Sequence, residues 1–306
     1  MVLIPKIIER EPLVGKYRNI TVKTFPPPAV GRILLLILML LNQLPQQTIK
    51  NNNLDFYQYI VETFRRSLTF RTQRPYNMDT YRQFDDKLLF DKKFLKHLSE
   101  SILDGINLNS NQDVKLHDED TTHLSVMDSE GNAVGITQSI ELVYGSKAAA
   151  NGLGFLYNCY MSSFEYQNIN YPHYLRPNSS PWTSVAPTIL FNKNKPWMTL
   201  GTPGSDRIPT VTAQFISSII DSDLSPNDAM DKPRIHCSVD GKVTIEGERF
   251  DDRVIPYLAE LGYDIELKES YSYYHGAIHA VIKKQGSKGF QGMAEIRRDG
   301  IAEGID

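Results

Sequence analysis

The chain has 306 residues, of which 41% are apolar and 23% are charged. This length is enough for one large domain or two small ones, and the composition is ordinary for a globular protein. The formal net charge of -3 at pH 7 provides no global positive field. The composition therefore argues against a chain that binds nucleic acid or an anionic membrane surface.

Two apolar stretches bear on membranes and on the compartment. The opening residues Met1–Lys6 reach a charge too soon for a secretory signal, so no signal peptide is expected and the compartment stays open. The longest apolar run is Ile33–Leu41, far shorter than the about 20 residues that a membrane span needs. We predict a buried helix at this run and no membrane anchor.

The first part of the chain is predicted to be helical. Pro26-Pro27-Pro28 is a rigid segment directly before the first apolar periodic stretch. Apolar residues at helical spacing predict helices over residues 30–44, 54–68 and 89–103. The polar stretches Gln46–Asn53 and Asn109–Asp120 are predicted loops.

The second part of the chain is predicted to be rich in strands. Alternating residues around polar turns predict hairpins over residues 124–142 and 185–202. The remaining predicted elements are helices over 208–220 and 251–261 and strands over 264–267 and 277–283. This order predicts a layered α+β domain, in which sheet packs on sheet with helices outside.

The two cysteines of the chain, Cys159 and Cys237, are far apart in sequence. Two thiols cannot form a metal site by themselves, and their spacing does not say whether they meet. We predict two unpaired and mostly buried thiols. No metal and no cofactor are expected.

Thr121 stands where a polar acidic segment runs into a predicted strand, in the sequence Asp-Glu-Asp-Thr-Thr-His over residues 118–123. A hydroxyl at this position can attack the preceding carbonyl and convert the peptide bond to an ester, which water then opens. The new N-terminal threonine would carry a nucleophile and, in its α-amine with a reference pKa of about 7.7–8.0, a base. Composition alone explains a Thr-Thr pair before a strand more simply, by β propensity.

Two further segments combine turn residues with hydroxyls. Over Gly201–Ile208 a predicted strand ends, a tight turn follows and a helix begins, so backbone N–H groups there could hold an oxyanion. Over Ser179–Thr188, hydroxyls crowd the entry to an apolar strand and could bind a carboxylate. Each segment taken alone is explained as well by ordinary turns and caps.

Taken together and in this order, these segments resemble the γ-glutamyltranspeptidase family over nearly the whole chain. Residues 10–28 look like the last stretch of that family's large subunit, and residues 121–134 look like the start of its small subunit. Thr183–Ile189 resembles the family's Ser-Ser-Met-Ser-Pro-Thr-Ile segment, and Gly201–Ser205 resembles its Gly-Ser-Pro-Gly-Gly turn. The segments 233–236 and 297–300 also fall where the family has them.

The resemblance implies a four-layer αββα sandwich of the N-terminal nucleophile hydrolase type, incomplete on its N-terminal side. Residues 1–120 would be the helical end of the large-subunit region and residues 121–306 the small-subunit region, both in one folded domain. It also implies autocleavage between Asp120 and Thr121, without a cofactor. The activity implied is transfer of a γ-glutamyl group, from glutathione or a related amide, to water or to an amine.

The resemblance assigns roles residue by residue. Thr121 would be the nucleophile, and Ser139 the hydroxyl that orients it. Glu141 falls where the family holds the substrate's α-amino group. The other matched residues are the hydroxyl pair at the α-carboxylate, Thr183 and Ser184, and the backbone donors of the oxyanion hole, Gly204 and Ser205.

Two departures from the family pattern leave alternatives open. Ser163 stands where the family has an aspartate that binds the substrate ammonium, and losing a charged hydrogen-bond partner costs about 1.5–3 kcal/mol. Only 120 residues precede Thr121, whereas the family carries several hundred, so a separate large-subunit chain is a candidate partner. An acylase acting on a different amide and a truncated inactive relative are the alternatives to a γ-glutamyl enzyme.

Arg207 is a candidate partner for a carboxylate, although an arginine at a helix start is more often on the surface.

Overall fold

The computed structural model describes residues 7–72, 90–103, 119–171, 173–284, 286 and 289–305. Its strands are β1 Leu13–Tyr17, β2 Ile20–Thr24, β3 Glu119–Met127, β4 Ala133–Leu142, β5 Thr188–Asn192, β6 Lys195–Gly201, β7 Ile235–Cys237, β8 Lys242–Glu246, β9 Asp264–Lys268, β10 His279–Lys283 and β11 Phe290–Ala294. Its helices are α1 Gly31–Leu41, α2 Gln46–Asn51, α3 Leu54–Thr72, α4 Lys92–Leu103, α5 Arg207–Ile220, α6 Pro226–Asp231 and α7 Val254–Glu260.

The main sheet has six strands in the order β1-β2-β5-β6-β10-β11, and each neighbouring pair is antiparallel. The β2–β5 ladder pairs Thr21–Thr24 with Thr188–Phe191. Residues before and after the predicted cleavage point therefore belong to one hydrogen-bonded sheet.

Helix α1 forms the centre of the helical layer on one face of this sheet. From Ile33 to Leu41 its sequence is apolar on every side, and a helix of that kind is stable only when it is buried all round. It packs on α3, on α5 and on β1, and ten of its eleven residues are buried. The prediction of a buried helix at Ile33–Leu41 is confirmed, and no helix in the described ranges is long and apolar enough to cross a membrane.

Strands β3 and β4 form a two-stranded sheet that packs on the other face of the main sheet. Because side chains alternate along a strand, Thr121, His123 and Ser125 face the main sheet. The polar contacts between the two sheets include Ser125 Oγ donating to the His279 carbonyl at 3.3 Å and Thr199 Oγ1 donating to the Val134 carbonyl at 3.3 Å. The opposite face of β3–β4 is exposed.

A third sheet, β7-β8-β9, is tied to the chain's end by buried ion pairs. Arg234 contacts Glu295 at 2.6 Å, and Arg297 contacts both Glu246 at 2.7 Å and Glu295 at 2.8 Å. A buried charge is tolerated only when it is paired. The family-like segments 233–236 and 297–300 are therefore explained by this structural network.

The layered α+β prediction is confirmed, and the predicted hairpins and helices of the second part are present. The loop predicted over Gln46–Asn53 is wrong, because Gln46–Asn51 forms α2, which ends at Asn52 in the left-handed region with φ 53°. Of the other predicted loop, residues 119 and 120 belong to β3 and the rest lies outside the described residues. Both cysteines are free, as predicted; Cys237 is buried, whereas Cys159 is only half-buried.

The first part of the chain was predicted to be helical, but it also contains two strands. Strands β1 and β2 form a hairpin at its start, around the turn residues Arg18 and Asn19. Asn42, at the end of α1, fixes this hairpin: its side chain donates to the Lys16 carbonyl at 2.9 Å and accepts from the Arg18 backbone N–H at 3.0 Å.

Candidate active site

Thr121 lies on the inner face of β3, at an irregularity in its ladder with β4. Asp120 pairs with Glu141 and Thr121 pairs with Ser139, so one extra residue of β4 stands between the two pairs. Bulges of this kind re-aim side chains and are frequent beside active sites. The Thr121 side chain is buried, with 6% of the residue exposed, and its hydroxyl donates to Ser139 Oγ at 3.1 Å.

Ser139 links the threonine to the next predicted site residue. Its oxygen also accepts the backbone N–H of Glu141 at 3.1 Å. Glu141 is buried and has φ 77°, a backbone conformation that costs a residue with a side chain about 1–3 kcal/mol. The bulge and this strained residue place the Glu141 backbone N–H against the same Ser139 oxygen that binds the threonine hydroxyl.

Ser163 is brought to Glu141 by a short 3-10 helix over Tyr160–Ser163. Its hydroxyl donates to Glu141 Oε1 at 2.6 Å. A hydrogen bond to an ionised carboxylate is shorter and stronger than one between neutral groups. The two residues predicted at the substrate ammonium are therefore joined by a short hydrogen bond.

Thr183 and Ser184 are held from different sides. The Thr183 hydroxyl lies 3.0 Å from the Tyr160 hydroxyl. Ser184 is almost completely buried, and its oxygen accepts a hydrogen bond from Arg71 Nη2 at 3.2 Å. Neither Tyr160 nor Arg71 was singled out from the sequence.

The predicted oxyanion turn follows β6 and leads into α5. Gly204 has φ 131°, and a side chain there would meet the Gly276 backbone at 3.3 Å. Ser205 is buried with φ 53°. Serine, at a position where the family turn has glycine, therefore occupies a left-handed conformation that glycine adopts without steric cost.

Contacts between the two sheets locate Thr121 relative to this turn. A side chain on Gly135 would lie 3.0 Å from Thr199 Oγ1, in the middle of β6. Nearer the end of β6, a side chain on Gly201 would overlap the ring of His123. The contact of His123 with Gly201 lies nearer the start of β3 than the contact of Gly135 with Thr199, and it also lies nearer the end of β6. The start of β3 and the end of β6 are therefore on the same side of the two packed sheets. Thr121, which lies beyond His123 towards the start of β3, is therefore at the end of β3–β4 that faces the turn.

Arg207, the sequence candidate for a local carboxylate partner, lies in a buried position and not on the surface. Its Nε donates to the Tyr274 carbonyl at 3.0 Å, and its guanidinium lies 4.0 Å from the centre of the Tyr274 ring. These contacts engage Arg207 with the Tyr274 segment. The structure brings Arg71 to Ser184, one of the two predicted carboxylate hydroxyls.

His123 fixes the strand that carries Thr121. Its Nε2 lies 2.9 Å from Ser125 Oγ and its Nδ1 lies 2.7 Å from Thr137 Oγ1. The Ser125 hydroxyl donates to the His279 carbonyl, so it accepts from His123 Nε2–H, and Nδ1 accepts from Thr137. Burial first, and then the charge of His279, lowers the pKa of His123 to about 3. The imidazole is therefore neutral at physiological pH.

We expect the protein to lose stability as pH falls below the ordinary histidine pKa. His123 stays neutral in the native state, whereas the unfolded chain binds a proton below about pH 6.5. The stability is therefore complete above this pH and is lost progressively towards pH 3, by about 2 kcal/mol at pH 5. Urea unfolding measures the free energy of unfolding at pH 7.5 and at pH 5. The difference between these two values should be smaller by this amount in His123→Gln than in the wild type. The exposed His97 provides the control, since His97→Gln should keep the wild-type difference; an unchanged difference in His123→Gln would contradict this assignment.

No group of three or more His, Cys, Asp or Glu side chains that could hold a metal occurs among the described residues. The chemistry that the described residues offer at the site is that of hydroxyls, the Glu141 carboxylate, the Arg71 guanidinium and backbone donors. This set suits acyl transfer through a hydroxyl nucleophile.

Solved structures similar to this chain define its class. The structure of a cephalosporin acylase from Bacillus halodurans matches with a TM-score of 0.79 and 21% identity, over 96% of this chain and 53% of that chain. At this identity the likeness shows the fold alone. The fold is that of the N-terminal nucleophile hydrolases, as the sequence predicted.

The family follows from the sequence comparisons. The model of the family described as Gamma-glutamyltranspeptidase matches residues 6–305, and the chain belongs to this family. A chain of the Helicobacter pylori gamma-glutamyltranspeptidase is 33% identical with a TM-score of 0.52, over 58% of this chain and 100% of that chain.

Two curated relatives are longer than this chain. The glutathione hydrolase proenzyme of Escherichia coli is 27% identical over 87% of this chain and 48% of the relative. A glutathione hydrolase-like proenzyme of Bacillus subtilis is 28% identical over 96% of this chain and 56% of the relative. The chain thus spans about half the length of these relatives.

Proposed function

We propose that this chain carries the nucleophile of an enzyme that transfers or hydrolyses γ-glutamyl groups, with Thr121 as the nucleophile after cleavage of the Asp120–Thr121 bond. The observation that carries the proposal is the buried Thr121 hydroxyl, held by Ser139 at a bulge beside Glu141. The match of the family model over residues 6–305 supports the same reading.

The cleavage step uses groups of the chain and one water molecule. Thr121 Oγ1 attacks the carbonyl carbon of Asp120 and passes its proton to the departing nitrogen, so the C–N bond breaks and an ester and a free amine form. Water then hydrolyses the ester, which leaves a carboxylate on Asp120 and the hydroxyl and α-amine on Thr121. Both groups needed for turnover are then on one residue.

In turnover, the α-amine takes the proton of the Thr121 hydroxyl, and Oγ1 attacks the γ-carbonyl of the donor. Backbone N–H groups of Gly204 and Ser205 stabilise the oxyanion, and the amine returns the proton to the leaving group. Water or an acceptor amine then attacks the γ-glutamyl ester and releases Thr121. Losing one such oxyanion donor costs about 100- to 1,000-fold in rate.

The substrate is proposed to be a small γ-glutamyl amide such as glutathione. Glu141 and Ser163 would hold its α-ammonium, and Thr183 and Ser184 its α-carboxylate. The hydrogen bond from Ser163 to Glu141 supports this assignment, because Glu141 supplies the charge that Ser163 lacks.

A panel of donors tests the acyl group. Anilides of γ-glutamate and of uncharged acyl groups should be cleaved with kcat/KM values that favour the γ-glutamyl donor by at least about tenfold, because a charged contact contributes about 1.5–3 kcal/mol. The second candidate is an acylase for a different amide, favoured by the single carboxylate at the ammonium end. Preference for an uncharged acyl group would establish that candidate instead.

The division of the chain at Thr121 belongs to the same proposal. Residues 1–120 would form the large-subunit end and residues 121–306 the small-subunit region, in one folded domain. The Helicobacter pylori chain is matched over 58% of this chain, close to the 186 of 306 residues that follow the Asp120–Thr121 bond. The β2–β5 ladder supports retention of both pieces after cleavage.

The outer face of β3–β4 is proposed to bind a separate large-subunit chain. Leu124 pairs with Ile136 and Val126 pairs with Val134, and all four side chains are between 47% and 56% exposed. A contiguous apolar face of this kind marks an interaction surface. The curated relatives extend well beyond the region matched by this chain, and the proposal assigns part of that further length to this face.

We expect Ile136→Lys to abolish binding of a large-subunit chain of the family, since a charge would be buried in the interface. Co-expression followed by affinity purification of this chain measures the bound partner. Ile301→Lys provides the control, because Ile301 is 80% exposed and lies outside β3–β4. Equal recovery of the partner with both variants would place its binding surface elsewhere.

A further inference from the structure

Arg71, in the last turn of α3, contacts two separate parts of the candidate site. Its Nη2 donates to Ser184 Oγ at 3.2 Å, and its Nη1 forms an ion pair with Asp206. Its guanidinium also lies 3.7 Å from the centre of the Trp182 ring. Ser184 belongs to the predicted carboxylate pair, and Asp206 directly follows Ser205 of the predicted oxyanion turn.

The chemistry of a guanidinium suits it to this position. It is planar and always charged, and its donors are fixed in a fork, so one group can bind two partners and stack on an aromatic ring. The side chains of Arg71 and Asp206 are only 11% and 12% exposed, so water screens their attraction poorly. Removing Arg71 would leave the Asp206 carboxylate without this partner in a poorly solvated position.

Arg71 also sets the direction of the Ser184 hydroxyl. An arginine can only donate hydrogen bonds, so the Ser184 oxygen is the acceptor and its hydrogen is directed away from the guanidinium. Donation from a cation polarises the hydroxyl and strengthens it as a donor. A hydroxyl prepared in this way suits an incoming carboxylate.

We propose that Arg71 is a positioning residue that couples the carboxylate-binding segment to the oxyanion turn. The inference deepens the proposed function and rests on it for the substrate. It assigns a role at the site to the part of the chain that precedes the cleavage point. The 1–120 piece must therefore stay in place after cleavage for both segments to keep their geometry.

Hydrogen–deuterium exchange of the uncut Thr121→Ala protein tests the coupling without any activity. Arg71→Met in this background should speed exchange at least about tenfold in both residues 182–186 and residues 202–208, as expected for loss of charged hydrogen bonds. Arg66→Met is the matched control, because Arg66 is on the same helix but pairs with Glu62 and Ser101. A change in only one segment, or in neither, overturns the inference. If Arg71→Met does not fold, Arg71→Lys is measured with the same criterion, since it keeps the charge but loses the fork and the planar stack.

The substrate side is measured on the cleaved wild-type protein and on Arg71→Lys. The ratio of KM values for a γ-glutamyl anilide and for its α-carboxamide should move towards one in the variant, because the anilide loses a prepared carboxylate contact and the carboxamide does not. An equal rise in both KM values would indicate a purely structural role and would contradict the positioning role. A third outcome is that Arg71→Met speeds exchange in both segments while the wild-type protein turns over neither donor. That outcome would refute the proposed function and leave the positioning role of Arg71 standing.

Discussion

Thr121→Ala will leave the chain as a single uncut species, whereas the wild-type protein converts to two pieces that begin at Met1 and Thr121. The reason is chemical: alanine has no oxygen to attack the Asp120 carbonyl, and a trans peptide bond is otherwise inert on this timescale. Intact mass, recorded over the course of incubation, measures the conversion. The loss should be complete and not partial.

Two variants at the same junction sharpen this prediction. Thr121→Ser keeps a hydroxyl at the bulge and should still cleave. Thr122→Ala removes a hydroxyl from the next residue, which is exposed on the outer face of β3, and should cleave at the wild-type rate. Cleavage that persists in Thr121→Ala, or that stops equally in Thr122→Ala, would show that another group opens the chain.

Gly204→Ala should reduce turnover by about 100- to 1,000-fold, the effect of losing one oxyanion donor. Gly204 has φ 131°, where alanine is strained, and the added methyl group would press on the Gly276 backbone at 3.3 Å. The turn must shift to relieve the backbone strain and the contact with Gly276. Its N–H groups would then no longer point at the developing oxyanion. The decrease should appear in kcat more than in KM, since the oxyanion exists only in the transition state.

Gly131 offers a matched control for backbone strain. It has φ 95° in the β3–β4 turn, and a side chain there would meet no atom within 4 Å. Gly131→Ala should therefore lower the unfolding midpoint without a comparable loss of kcat. If both variants lost the same kcat at the same loss of stability, the decrease would come from destabilisation. That result would contradict a role of the Gly204 turn in stabilising the oxyanion.

The parts of the site that were predictable from the sequence are those encoded by short contiguous segments. The threonine at the start of β3 and the strand-turn-helix at Gly204 and Ser205 each lie within a few residues, so pattern and family resemblance find them together. The buried apolar helix α1 was predictable for the same reason, because its composition alone requires burial.

Long-range contacts were not predictable. Arg71 meets Ser184 and Asp206 through pairings more than a hundred residues apart, and a basic residue in the last turn of a helix looks like any solvated arginine. The positive φ of Ser205 was not predicted because a serine usually avoids this conformation.

The β1–β2 hairpin had a usable signal. Ile20–Thr24 alternates buried and half-buried residues, with β-branched residues at four of its five positions. The prediction that the first part of the chain is helical left this short run out. Its structural consequence is large, because β2 joins residues before the predicted cleavage point to the sheet that contains β6, the strand before the predicted oxyanion turn.

The most direct test of the central claim is the mass of the peptide labelled by an electrophilic glutamine analogue. The protein is incubated with the reagent, digested and analysed by tandem mass spectrometry. A γ-glutamyl enzyme of the proposed kind will carry one adduct, on the oxygen of Thr121, in a peptide whose N-terminus is Thr121 itself. An adduct on another residue would contradict the account, and a protein that stays unlabelled with its 120–121 bond intact would identify the chain as an inactive relative.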